Sequence, residues 1–390
     1  MNDEPAELPR GFPNAEFEAR TARAQAAMAE AGLAGLLLTT EPEVRYFSGF
    51  HTPFWQSPTR PWFLFVGVEG KPVAVIPEIG ADLMRRTWLD DVRSWAAPAP
   101  NDDGISLLCD LLAPLARSGA RLGVPKGHET HLRMPLGDWE RLLDRMRGLR
   151  IEDATAVVQT LRMVKSDREI AKIARVCDVA SRTFERVPAL LAEDRPWPEV
   201  FRSFRREALA QGADDVPYLV GGKGQGGYRD VISPPGPEPL EPGDVVMLDT
   251  GCTWDGHFCD FDRNWAVGRA DDASRRVYDV LWRATQAGID GAQPGVTARA
   301  VFQAMSAILA EAGEGGAVGR LGHGLGTQLT EQPSLAGFDG TVLREGMVLT
   351  IEPSLAYGNG LTMVHEENIV VRPDGAELLT RRAPRELPIV

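Results

Sequence analysis

Residues 246–262 read Val246-Met247-Leu248-Asp249-Thr250-Gly251-Cys252-Thr253-Trp254-Asp255-Gly256-His257-Phe258-Cys259-Asp260-Phe261-Asp262. An apolar run ends on the carboxylate of Asp249, a Gly-punctuated turn follows, and a second run delivers Asp260. This is the pattern of a β-hairpin offering two acids from neighbouring strands. Buried acids so close repel one another unless a cation or a shared proton neutralises them, so the hairpin reads as half of a metal site.

The other half lies downstream. Gly322-His323-Gly324-Leu325-Gly326 sets a histidine among three glycines, which lets backbone approach closely and leaves the imidazole reachable. In Glu345-Gly346-Met347-Val348-Leu349-Thr350-Ile351-Glu352-Pro353 a period of two sets Met347, Leu349 and Ile351 on one face and Val348, Thr350 and Glu352 on the other. Glu352 then points away from the apolar layer into the same kind of pocket as Asp249. In Met363-Val364-His365-Glu366-Glu367-Asn368-Ile369 the two glutamates face opposite ways, so only one of them can be a ligand. One histidine and four carboxylates at strand ends carry about the charge that two divalent cations cancel. The oxygen-rich set suits Mn²⁺, Fe²⁺, Co²⁺ or Zn²⁺.

Around this set, composition describes a globular protein. At 390 residues the chain is expected to form two or three domains, and its 43% hydrophobic and 25% charged residues supply ample core. The 40 Gly and 29 Pro predict many turns and a strand-rich portion rather than disorder. A net charge of −13 argues against nucleic acid as a partner. Cys109, Cys177, Cys252 and Cys259 follow no disulfide or zinc spacing and are expected as free buried thiols in a reducing compartment. The acidic start Met1-Asn2-Asp3-Glu4-Pro5-Ala6-Glu7 lacks an apolar core of the signal-peptide kind, and no stretch approaches membrane-spanning length. The expectation is a cytoplasmic protein with no membrane partner.

In the first 160 residues a helical pattern from Ala15 to about Gly32 precedes a buried strand, Gly35–Thr40. Strand-like runs recur at Trp62–Val68 and Pro72–Ile76 across the turn Glu69-Gly70-Lys71. The alternation predicts an α/β domain with a mixed sheet. Within it, the segment from Arg45 to Trp62 interleaves Phe47, Phe50, Phe54, Trp55 and Trp62 with Pro and Arg. Such a rigid loop serves either as core or as a contact for substrate or a second subunit. Ser166-Asp167-Arg168-Glu169 has capping-box spacing, and Ile170, Ile173, Cys177, Ala180 and Phe184 follow on one helical face. A second domain, 161–390, therefore opens with a long amphipathic helix and holds the chemistry.

The series Asp249, Asp260, His323, Glu352 and Glu366, in its Leu-Asp-Thr-Gly, His-Gly-Leu-Gly and Ile-Glu-Pro contexts, resembles the pita-bread metallopeptidases, the family of methionine aminopeptidase, aminopeptidase P and prolidase. The resemblance implies a creatinase-like N-terminal α/β domain over 1–160 and an α+β pita-bread catalytic domain over 161–390. It implies that Asp249 binds one metal ion, that Asp260 and Glu366 bridge two, and that His323 and Glu352 complete the second. It also selects Glu366 over Glu367. Two divalent ions are implied, manganese first and zinc, iron or cobalt as alternatives. Glu331 matches an acid that orients the water between the metal ions or shuttles a proton.

Departures from the family pattern are as informative. Thr330 stands where the peptidases place a histidine, and Gly227-Tyr228-Arg229-Asp230-Val231-Ile232-Ser233 holds none where they place another. Tyr228 and His257 are the nearest stand-ins, with turn packing the plainer role for both. Asp262 occupies a position where the peptidases usually carry threonine, and reads as an extra proton acceptor, a brace for a ligand, or a partner of Arg263. The expected catalytic residues are Glu331, Asp262 and Tyr228, and the expected substrate contacts are Phe54, Trp55, Arg60 and His257. The resemblance implies a homodimeric hydrolase that cleaves an amide bond of a short peptide or small molecule. The missing histidines leave room for a non-peptide carbon-nitrogen hydrolase, like the ectoine hydrolases, or a carbon-sulfur lyase, like the dimethylsulfoniopropionate lyases.

Overall fold

The computed structural model describes residues 8–57, 60–191, 194–312 and 319–390. The acidic stretch 1–7 and residues 58–59 of the aromatic loop lie outside the described residues. The chain divides into two compact units, one of residues 9–162 and one of residues 163–390 with Leu8.

In the first unit, Gly35–Leu38 lies inside a six-stranded sheet, antiparallel to Phe63–Gly67 on one side and parallel to Arg121–Val124 on the other. The sheet is therefore mixed. Its strands Gly35–Leu38 and Phe63–Gly67 read as continuous apolar runs because both faces are covered. Leu36 and Leu38 pack with Phe17, Ala24 and Met28 of helix Asn14–Ala31, whereas Leu37 packs with Leu108 and Leu112 of helix Ile105–Ser118. The period of two along the strand assigns each face its own helices.

The aromatic loop closes one end of this core. Trp55 and Trp62 are buried with ring centroids 5.5 Å apart, and Phe50 stands 5.3 Å from Trp62. Arg133 caps the loop by donating to the carbonyls of Trp55, Ser57 and Arg60. Trp55, expected as a substrate contact, is thus packed into its own unit. Phe54 and Arg60 are half-buried, with the guanidinium 5.4 Å from the Phe54 ring centroid.

The second unit opens as the sequence predicts: Ser166 and Glu169 form a reciprocal capping box at the start of helix Asp167–Phe184. One sheet runs Phe261–Ala266, Asp244–Trp254, Asp215–Gln225, with His257–Phe258 pairing beyond the hairpin turn. A second, five-stranded sheet contains Gly322–Gly324, Val348–Ile351 and Glu367–Arg372. Helices Asp167–Phe184 and Trp197–Ala210 cover Val246, Leu248, Phe261, Val348 and Val370. Helices Asp272–Gly291 and Ala298–Ala310 cover Val245, Met247, Ala266, Leu349, Ile351 and Ile369. Alternate residues of the same strands thus serve two cores, the α+β arrangement the resemblance implies. Among the described residues, no helix is long and apolar enough to cross a membrane.

Phe184 anchors the first of these cores, 5.0 Å from Phe204 and 5.1 Å from Phe261 between ring centroids. Truncation there removes aromatic contacts behind the hairpin. Phe184→Ala is expected to lower unfolding free energy by about 4 kcal/mol, read from the shift of the urea transition of this unit.

Candidate metal centre

The hairpin turn is Asp255-Gly256, both with positive φ, 44° and 72°. That pair suits a type I′ turn, whose twist matches the flanking strands. The register pairs Asp262 with Asp249 and Phe261 with Thr250. Continued toward Phe258↔Thr253, it brings Asp260 opposite Gly251. Cross-strand pairs share a face, so Asp249, Asp260 and Asp262 emerge together where the apolar alternation of Val245 and Met247 ends. A Cβ at Gly251 would come within 2.4 Å of the Leu329 side chain and 3.2 Å of Tyr218 Cβ, so only glycine leaves the space beside Asp260.

Side chains of the other sheet hold the backbone of Asp260. Its N–H donates to Asn368 Oδ1 (2.9 Å), and its carbonyl accepts from Thr350 Oγ1 (2.9 Å) and Asn368 Nδ2 (2.5 Å). His323 arrives on strand Gly322–Gly324. Its Nδ1 donates to Gly324 O at 2.8 Å, which fixes the tautomer that leaves Nε2 as an acceptor. Nε2 stands 3.4 Å from Asp260 Oδ2 and 3.6 Å from Glu352 Oε2. The flanking glycines are steric necessities, because a Cβ at Gly322 would lie 2.3 Å from Thr350 O and one at Gly324 2.1 Å from Gln332 O.

Two donor groups result, Asp249–Asp260–Glu366 and Asp260–His323–Glu352, each with its ligand atoms within 4.8 Å of one another. Asp260 belongs to both. Asp249, Asp260, His323 and Glu366 are buried, and the Glu352 side chain is 20% exposed. Glu367, the neighbouring acid, faces elsewhere: it pairs with Arg263 and Arg382 and accepts from Ala383 N.

Burial, then the charges of Asp249 and Glu352, drive Asp260 and Glu366 well above the usual carboxylate range. Burial also raises Asp249 and Glu352 to about 7 each. Asp249 Oδ1 and Glu366 Oε2 are buried without a hydrogen-bond donor among the described residues. Unsatisfied lone pairs, mutual repulsion and an imidazole whose Nε2 faces two carboxylates together fit divalent cations.

The remaining expected residues fall into distinct places. Asp262 is buried, paired in register with Asp249 and bonded to Asn264 Nδ2. Glu331 is buried and pairs with Lys165 Nζ at 3.0 Å. Tyr228 is buried in the second core, its hydroxyl donating to Asn264 Oδ1 (2.9 Å) and accepting from Val364 N (2.9 Å). It reaches Asp262 only through Asn264. His257 is buried, with Nδ1 donating to Asp255 O across the hairpin turn. Two residues the sequence reading did not single out act on the acids electrostatically: Tyr218, whose hydroxyl is held up by burial and then by the Asp249 charge, and Arg320, whose charge lowers Asp260 and Glu352. Tyr218 lies on the strand neighbouring Asp249, two residues from its partner Val220, a position that a register assignment for that strand would have flagged.

The likeness to known proteins agrees with this geometry. Residues 171–373 match metallopeptidase family M24, and residues 20–164 match the creatinase/prolidase N-terminal domain. The chain belongs to family M24 and is a metallohydrolase with the two-domain creatinase-type fold. It is 30% identical to the probable dipeptidase PepE of Mycobacterium tuberculosis over 98% of each chain. An Xaa-Pro dipeptidase of Pyrococcus horikoshii is 28% identical over 65% of this chain and 72% of that one. The crystal structure of dipeptidase PepE from Mycobacterium ulcerans superposes with a TM-score of 0.84 at 30% identity, covering 97% of this chain and 99% of that one.

Raised carboxyl values have a consequence for stability. The metal-free folded state holds protons on Asp249 and Glu352 up to about pH 7, whereas the unfolded chain loses them near pH 4. Between those values the folded state binds more protons, so its stability falls as pH rises through the window. Metal-stripped protein is therefore expected to melt at progressively lower temperature from about pH 5 to about pH 8. Added Mn²⁺ reverses the trend, raising the melting temperature most at the alkaline end, as differential scanning fluorimetry would record.

Proposed function

We propose that this protein is a dinuclear dipeptidase that cleaves Xaa-Pro dipeptides. The observation that carries the reading is the sharing of Asp260 between two donor groups. A carboxylate so placed would be available to two ions at once. In this reading Asp249 and Glu366 would hold one ion and His323 and Glu352 the other, with Asp260 and Glu366 available to both. The oxygen-rich set favours manganese, with zinc, iron and cobalt as competitors.

Ions so held supply Lewis-acid polarisation of the scissile carbonyl and acidify a water molecule. Glu331, kept in place by Lys165, takes that water's proton and returns it to the leaving nitrogen. Arg320, whose charge reaches Asp260 and Glu352, receives the terminal carboxylate of a dipeptide. A carboxylate so close to the scissile bond favours dipeptides over longer chains. Likeness to dipeptidases along nearly the whole chain supports a peptide substrate over the non-peptide hydrolase and lyase alternatives. The buried free cysteines fit a reducing cytoplasm. A homodimer is expected by gel filtration, with Phe54 and Arg60 among the residues offered to the partner or substrate.

The test is turnover of an Xaa-Pro dipeptide and tripeptide panel by Mn²⁺-loaded protein with bound metal counted. Asp260→Ala is expected to lower kcat/KM by at least about 10³-fold and to lose bound metal. Two ions bound with no peptide cleaved would overturn the peptidase reading. Arg320→Met is expected to raise KM for dipeptides about tenfold or more while leaving dipeptide amides little changed, a contrast read from parallel saturation curves.

A further inference from the structure

The return strand of the hairpin is interrupted at Cys259-Asp260, between His257–Phe258 and Phe261–Ala266. At this break the backbone of Asp260 takes its partners from side chains of the five-stranded sheet. Asn368 Oδ1 accepts from Asp260 N (2.9 Å), Asn368 Nδ2 donates to Asp260 O (2.5 Å), and Thr350 Oγ1 donates to the same carbonyl (2.9 Å). A side-chain amide carries a donor and an acceptor side by side, so one asparagine satisfies both backbone groups of one residue. Cys177 Sγ, on helix Asp167–Phe184, donates to Asn368 Oδ1 at 3.4 Å and steadies the amide.

In that sheet His323 pairs with Thr350, and Thr350 pairs with Asn368. Cross-strand partners share a face. One row across three strands therefore carries His323 and the two side chains that hold Asp260, whose Oδ2 stands 3.4 Å from His323 Nε2. Asp260, Thr350 and Asn368 are buried, at 4%, 0% and 0% exposure, so water does not compete for these bonds. Before an ion binds, the gathered acids repel one another, and a tethered backbone resists the displacement that repulsion drives.

We infer that Asn368 is a positioning residue: seconded by Thr350, its amide fixes the backbone of Asp260, so that the carboxylate common to both donor groups is held in place for both ions. The inference rests on the dinuclear reading above. Because Asp260 is shared, losing this hold weakens both ions together.

The experiment is calorimetric titration of metal-stripped full-length protein with Mn²⁺, with bound ions counted after dialysis and melting temperatures taken with and without metal. Wild type is expected to bind two ions. Asn368→Leu, similar in size but without donor or acceptor, is expected to weaken both about 10- to 100-fold. Thr350→Val leaves the Asp260 carbonyl its bond from Asn368 and is expected to weaken both by about three- to tenfold. A side chain that only stabilised the fold would lower the melting temperatures of stripped and loaded protein alike and leave affinity unchanged. Wild-type affinity for either ion in Asn368→Leu would therefore overturn the positioning role. If Asn368→Leu fails to fold, Thr350→Val decides: weakened binding of both ions supports the role, and wild-type binding of either overturns it. A wild type that binds fewer than two Mn²⁺ is a different failure, that of the dinuclear reading itself.

Discussion

Repulsion among buried carboxylates is the constraint on which the catalytic unit depends. Asp249, Asp260, Glu352 and Glu366 converge around one imidazole; burial raises each above its ordinary ionisation, and neighbouring carboxylates raise Asp249, Asp260 and Glu366 further. Without a cation the fold tolerates them by holding protons. With divalent ions, the same repulsion becomes attraction of the whole set to a common centre. The protein thus keeps an unfavourable arrangement ready, and binding energy from the ions offsets the cost of assembling it.

Holding such a set requires rigid backbone. None of the acids sits on a long loop: Asp249 stands within strand Asp244–Trp254, Asp260, Glu352 and Glu366 stand beside strand ends, and the backbones of Asp260 and Glu366 are tied by side chains. Asn368 and Thr350 grip Asp260, while Arg263 grips Glu366. Arg263 also neutralises Glu367, which explains how two adjacent acids coexist at a buried position: one pairs with arginines, the other faces the centre. Glycine contributes by absence, since Gly251, Gly322 and Gly324 leave no Cβ where backbone or neighbouring side chains already stand.

Two differences from the peptidase pattern shape the chemistry. The positions of the auxiliary histidines carry Thr330 and the histidine-free stretch 227–233. Tyr228, the side chain in that stretch nearest in character, is bonded to Asn264 and Val364 in the core. Tyr218, on the strand paired with that of Asp249, and Arg320, whose charge acts on Asp260 and Glu352, are other groups that influence the acids.

Much of this was legible in one dimension, because a strand's alternation is a local property. Two-residue periodicity separated Leu349 and Ile351 from Glu352. The Asp-Gly turn marked the hairpin, and the Ser166–Glu169 spacing marked the helix that opens the second unit. The order of acids and histidine carried the family. What could not be read locally is which side chains converge once strands distant in sequence pair. The sharing of Asp260 depends on where Gly322–Gly324 and Val348–Ile351 lie relative to the hairpin. The burial of Trp55 depends on Arg133, more than 70 residues away. The bonding of Tyr228 depends on Asn264 and Val364. Sequence by itself determined the kind of ligands and their faces, since those follow from residue chemistry and backbone period. Tertiary structure alone decided which of them meet, because long-range pairing brings charges within the few ångströms at which they act on one another.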